Sequence, residues 1–222
     1  MNPELEPQPH QYPYATIGRG RGGDYVWFDS QQATGHAWGR HLPHWRQPGA
    51  IYFVTFRTAD SIPAEVLARW QREREAWLAR HPTPHDDAVA RDFHERFTER
   101  MHGFLDEGHG DCPFRDPAAR AVVADALAFR DGVDYALDGW VIMPNHVHVL
   151  VAPRGKAELS AITKTWKRVS AQRVNKLLGR SGGLWQQESW DHIVRGAEHL
   201  ERYRRYIERN PTRLRVAHVA PT

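Results

Sequence analysis

Cysteine is almost missing from this chain: Cys112 is the single one in 222 residues. That excludes an internal disulfide and any metal site built from several thiolates. Long hydrophobic runs are missing as well. None reaches the ~18 residues of a membrane-spanning helix, so no transmembrane helix is expected. The opening stretch, MNPELEPQPHQYPYATIGRGRGGDY, lacks the apolar core of a signal peptide, and a cytoplasmic location is the expectation. No internal repeat is visible. No three acidic residues stand at an obvious metal-binding spacing.

What is present is the composition of an ordinary folded protein, 41% hydrophobic and 26% charged, rather than of a disordered one. The length suits one sizeable domain or a domain with extensions. The net charge of +3 is unevenly spread. Ser160 to Arg215 carries 13 Lys/Arg against 5 Asp/Glu, a local +8 that leaves −5 for the remainder. A basic C-terminal third on a near-neutral body points to a polyanionic partner such as nucleic acid, with a merely solvated helix surface as the competing reading.

Periodicity gives an order of elements. Residues 1–47 read as an irregular arm, including GRGRGG and most of RHLPHWRQPG. AIYFVTFR (50–57), after Pro-Gly, reads as a strand. A helix is expected to start at Ser61-Ile62-Pro63 and run to about Arg80, and a second from about Ala88 to Leu105. After a turn-rich loop, PAARAVVADALAFRDG (117–132) has an apolar helical face and a glycine stop. YALDGWVIM (135–143) and the segment from His146 to Val151 read as paired strands around Pro144-Asn145. A helix follows over about 159–178, then a short extended piece within 184–194. A last helix over 197–210 is stopped by Pro211. This order predicts an α+β fold: a ferredoxin-like antiparallel sheet with helices on one face.

The stretch WVIMPNHVHVLV (Trp140 to Val151) places two imidazoles two residues apart at the start of a strand. Residues at i and i+2 share a sheet face, so His146 and His148 look one way while Val147, Val149 and Val151 look the other, into a core. Paired imidazoles near a turn suit a divalent metal, and incidental surface histidines are the alternative. In the last helix Tyr206 and Asn210 are four apart and share a face. A tyrosine can act as nucleophile, and an amide oxygen can complete a divalent-ion site. If that helix packs near the histidine strand, Tyr206 would sit beside a metal held by His146, His148 and Asn210. Tyr203 competes, but its i+4 partner is Ile207, which cannot bind metal. A packing tyrosine and a helix-ending asparagine are the plain alternative.

MPNHVHVLV followed some 60 residues later by YIERNP resembles the REP-associated tyrosine transposases, relatives of the small single-strand insertion-sequence transposases within the HUH endonucleases. RHLPHW, YFVTFR, DEGHGDCPFRDP, WKR and LWQQESWD sit where that family carries similar strings, so the resemblance spans about residues 40 to 212. After the motif, NPTRLRVAHVAPT departs from the family pattern. The resemblance implies a catalytic domain over 48–212 with a helical insertion at about 81–116, and a tail at 213–222. It also implies His146, His148 and Asn210 as ligands of Mg²⁺ or Mn²⁺, and Tyr206 as nucleophile. The activity implied is cleavage and rejoining of hairpin-bearing single-stranded DNA through a 5′-phosphotyrosine. A domesticated binder of structured DNA or RNA, or a metal-dependent hydrolase, are the other expectations.

DNA contacts are expected on the helix after the hairpin. Lys164, Lys167, Arg168 and Arg173, with Lys176, can reach phosphates. Trp166 could stack on an unpaired base, although a tryptophan half-buried on an amphipathic helix is the competing reading. Trp185 and Trp190 are expected in the core or as a cover over the site. A monomer or homodimer is expected.

Overall fold

The structure, a computed structural model, describes residues 14–20, 22–29, 31, 34–37, 43–81 and 87–213. Much of the expected arm, including most of RHLPHW, and the tail from 214 lie outside them.

Strands β1 (Thr16–Arg19), β4 (Tyr52–Arg57), β5 (Tyr135–Ile142), β6 (His146–Pro153) and β7 (Trp190–Ile193) form one antiparallel sheet in the order β1-β5-β6-β4-β7. The four strands from β4 onward, with their crossover helices, give the ferredoxin-like order, so the expected α+β fold is the one found. β2 (Thr34–Ala37) and β3 (Pro43–Arg46) pair separately. The expectation of an irregular segment before residue 47 is therefore corrected by three short strands, β1, β2 and β3. Four-residue strands are too short to show a period in sequence. β1 forms because the β5 edge would otherwise present unpaired backbone groups. Gly18 is required in it, because a Cβ there would lie 2.0 Å from the Trp140 ring that crosses β1.

Every residue of β4 and β5 is buried, as is nearly all of β6. Such strands need cover on both faces. On one face Tyr52, Val54, Phe56, Val147, Val149 and Val151 pack under α4 (Pro117–Ala128) and α5 (Leu159–Leu177). Asp116 caps α4, its side chain accepting from the Ala118 N–H at 2.7 Å, with Pro117 opening the helix. On the other face Phe53, Val141 and Leu150 pack under Leu200, Tyr203 and Ile207 of α6 (Ala197–Arg209). The expectation of helices on one face thus holds for α4 and α5, and α6 corrects it. The doubly apolar strands leave a second surface that only another helix can cover.

α1 (Ala64–Arg80) precedes the expected helical insertion at about 81–116, which contains α2 (Asp87–Phe93), a π-helical stretch (His94–Glu99) and α3 (Arg100–Asp106). Trp70, Trp77, Phe97, Met101 and Leu105 join these into a third cluster, which meets the sheet at Trp190.

Candidate active site

β6 carries His146 and His148 on the face covered by α6, and both are fully buried. Their ring centroids are 4.7 Å apart. The alternation on β6 is as read from sequence: Val147, Val149 and Val151 belong to the opposite cluster. The two imidazoles are oriented from behind. The Asn145 amide is fixed when its Nδ2 donates to the His109 carbonyl at 2.9 Å. Its Oδ1 then accepts from His146 Nδ1 at 2.8 Å. Thr55 Oγ1 engages His148 Nδ1 at 2.7 Å. In both rings Nδ1 is thereby occupied and Nε2 is turned to the site, the arrangement by which outer partners set the tautomer of ligating histidines.

Burial holds the His146 imidazolium down to a pKa of about 3, with the Asn210 amide beside it opposing that shift. The ring is neutral at physiological pH, with the Asn210 amide beside it. The His146 Nε2 has no hydrogen-bond partner among the described residues, and neither has Nδ2 or Oδ1 of Asn210. Asn210 is itself fully buried. Three buried polar atoms without partners, at one place, fit a missing polar ligand. Imidazole nitrogen with amide oxygen is a donor set that suits a divalent cation. Among the described residues no three His, Cys, Asp or Glu side chains are grouped to hold a metal.

α6 brings Tyr206 to the same place. Its hydroxyl lies 3.5 Å from His148 Nε2, and the side chain is only half-buried. Tyr203 is placed differently. Its ring stacks on Phe53 at 4.1 Å and on His199 at 4.7 Å, and burial raises its hydroxyl pKa. The helix is clamped to the sheet by Arg204, which donates to Asp138 from Nε at 2.7 Å and again from Nη2. The Tyr25 hydroxyl also donates to Asp138, at 3.0 Å.

The residues expected to touch DNA are not brought together in the same way. Trp166 is corrected: it is buried, and its indole N–H donates to the Tyr135 hydroxyl at 2.9 Å, leaving no face for a base. The apolar stripe of α5 places it there, under the sheet. Lys164, Arg168 and Arg173 are exposed on the helix that covers the face away from the histidines. Lys167 alone turns toward the sheet end, donating to the Gln187 carbonyl at 2.7 Å. Trp185 lies in the α5-side core against Phe114, at 5.0 Å. Trp190 borders the insertion, 6.2 Å from Trp70.

Sequence reading missed Asn145, Thr55 and two further residues on the site face. His102 of α3 sits with its ring 5.1 Å from His148 and 5.2 Å from Tyr206. Arg57 ends β4 directly opposite His146. Only Thr55 and Arg57 carried a signal, their alternation with Phe53 in YFVTFR.

Part of the chain is similar to known proteins. Residues 128–210 match the family described as "Transposase IS200 like". That segment is similar to the IS200-like transposases. It takes in both histidines, Tyr206 and Asn210. Two solved structures of transposases are similar to the chain. One is a REP-associated tyrosine transposase bound to a REP hairpin, at 14% identity and TM-score 0.40, over 81% of this chain and 73% of that one. The other is assigned as a transposase of Deinococcus radiodurans R1, at 16% identity and TM-score 0.32, over 80% of this chain and 96% of that one. Among curated proteins, none matches. No helix among the described residues is long and apolar enough to cross a membrane.

Proposed function

We propose that this chain cuts and rejoins single-stranded DNA bearing a hairpin, with Tyr206 as nucleophile. The observation that carries the reading is the approach of the Tyr206 hydroxyl to His148 Nε2, at 3.5 Å, beside the partnerless atoms of His146 and Asn210. His146, His148 and Asn210 would hold Mg²⁺ or Mn²⁺. When bound, such an ion polarises the scissile phosphodiester and offsets charge developing on its oxygens.

The residues do the rest. Thr55 and Asn145 keep the two Nε2 atoms facing inward. Phe53 meets the Tyr206 ring edge-on at 5.8 Å and limits its rotation. The phenol oxygen forms a bond to phosphorus as the bond from phosphorus to the 3′ oxygen breaks. The proton lost by the phenol is balanced by one gained at the 3′ oxygen. The phosphotyrosine keeps the bond energy, so a second 3′ hydroxyl can reverse the step on another strand. Lys164, Arg168 and Arg173 supply phosphate contacts away from the chemistry. The catalytic unit is residues 48–212, including the helices between α1 and α4.

The test is covalent coupling. Hairpin-bearing single strands incubated with Mn²⁺ and run on a denaturing protein gel should give a labelled protein band. Tyr206→Phe removes one oxygen and should abolish that band while leaving Tm and DNA binding unchanged, whereas Tyr203→Phe should keep it. Coupling by Tyr206→Phe but not by Tyr203→Phe would reassign the nucleophile. DNA binding with no coupling by the unaltered protein would favour a non-cleaving binder.

A further inference from the structure

Arg57 is a buried cation that has not been matched with an anion. It is 3% exposed, and it makes no ion pair among the described residues. Its Nη1 donates to two neutral oxygens, the Thr58 carbonyl at 3.3 Å and Ser61 Oγ at 3.1 Å. The guanidinium lies 5.6 Å from the Trp190 ring. Its Nε is buried with no hydrogen-bond partner among the described residues. Enclosing a charge this way is unfavourable unless something compensates, and a fold that needed only bulk here could have used methionine.

Its position says what compensates. Arg57 is the register partner of His146. Directly opposed residues of an antiparallel pair share a face with their Cβ atoms roughly 5 Å apart. Arg57 therefore leaves β4 on the histidine face, beside the strand position of His146. A second cation lies close by: burial, together with the positive field of Arg57, lowers the pKa of Lys167 to about 8. Asp60 and then Glu188 reach Arg57 with their fields, and Glu188 reaches Lys167 as well, but neither carboxylate pairs with either cation among the described residues. A planar fork of N–H donors held beside a second cation is built for a tetrahedral oxyanion.

We propose that Arg57 is a further catalytic residue: its guanidinium binds the non-bridging oxygens of the phosphate that Tyr206 attacks. This rests on the function proposed above. The bond changes are the same, from phosphorus–O3′ to phosphorus–Oη. Arg57 keeps its protons throughout and stabilises the extra charge of the pentavalent stage.

Two measurements on the full chain test it. The first is Tm in EDTA, in chloride and in inorganic phosphate at matched ionic strength, for wild type, Arg57→Met, Arg57→Lys and His146→Ala. Phosphate should stabilise wild type and His146→Ala, stabilise Arg57→Lys less, and leave Arg57→Met unmoved. In chloride Arg57→Met should be at least as stable as wild type, because it removes an unmatched charge. The second is the rate of covalent coupling at saturating hairpin DNA. It should fall about 10²-fold in Arg57→Met, the scale seen when one oxyanion donor is removed, with hairpin affinity little changed. A phosphate response kept by Arg57→Met, a response missing from wild type, or a lower Tm of Arg57→Met in chloride would overturn the proposal. So would a phosphate response abolished alongside an unchanged coupling rate, which describes a site for free phosphate. If wild type couples to no hairpin strand, the proposed function fails instead, and the phosphate measurement alone decides what Arg57 binds.

Discussion

At the scale of single residues, the site is divided between side chains that display their chemistry in sequence and side chains that only orient others. His146, His148, Tyr206 and Asn210 are legible because their spacings, two on a strand and four on a helix, fix a shared face before any tertiary contact is known. Asn145 is legible only as a turn residue. Its use depends on the His109 carbonyl 36 residues earlier, and nothing local reports that bond. Asn145→Ala should leave both imidazoles in place but release the His146 tautomer. We expect the Mn²⁺ concentration for half-maximal coupling to rise about 10–100-fold, the usual cost of losing an outer partner of a ligand. An unchanged metal dependence would show that the bond is not used. His199 gives a pH prediction. Burial first, and then Arg202, His192, Arg195 and His94, lower its pKa to about 4, against ~6.5 unfolded. Between those values the unfolded chain binds a proton that the folded one refuses, so His199 costs stability as pH falls from about 6.5 toward 4. Above that window it is neutral in both states. Tm measured across this range should fall less steeply for His199→Gln than for wild type; parallel curves would remove the assignment.

At the scale of elements, the long strands and helices are readable in sequence, and the way they are layered is not. WVIM and VHVLV are continuous apolar runs, a pattern that already signals burial on both faces, yet the second cover, α6, is among the most polar helices of the chain. Its apolar contribution is little more than Leu200, Tyr203 and Ile207. Such a helix is held as much by charge as by packing. Asp138, nearly buried at the irregularity between Leu137 and Gly139, receives Arg204 and Tyr25 together. Asp138→Asn should therefore cost about 1–3 kcal/mol, measured as a fall in Tm, and should slow coupling because Tyr206 and Asn210 ride on the same helix. An unchanged Tm would mean that the apolar contacts of α6 suffice. Trp166 misleads for the converse reason. An aromatic between lysines resembles a base-stacking platform, but its period along α5 is that of Ile162 and Ser170, which face the sheet.

For the molecule as a whole, the basic surface of α5 and the candidate chemistry lie on opposite sides of one sheet. Charge counted along the sequence shows an excess but not the face that carries it. If DNA follows both, replacing Lys164, Arg168 and Arg173 by glutamine should weaken hairpin binding. The slope of log K against log salt should also shrink, by about one for each phosphate that is no longer neutralised. Coupling at saturating DNA should stay near the wild-type rate. A collapse of that rate would place those side chains at the reaction instead. The division of the site between β6 and α6 has one more consequence. A ribosome delivers the histidine strand some 60 residues before Tyr206, and the sheet can close before that tyrosine has been made. Until α6 docks, Phe53, Val141 and Leu150 stand uncovered, an adhesive surface for chaperones. Docking hides that surface and completes the candidate site in the same event, so on the function proposed above the chain couples to DNA only once α6 is in place.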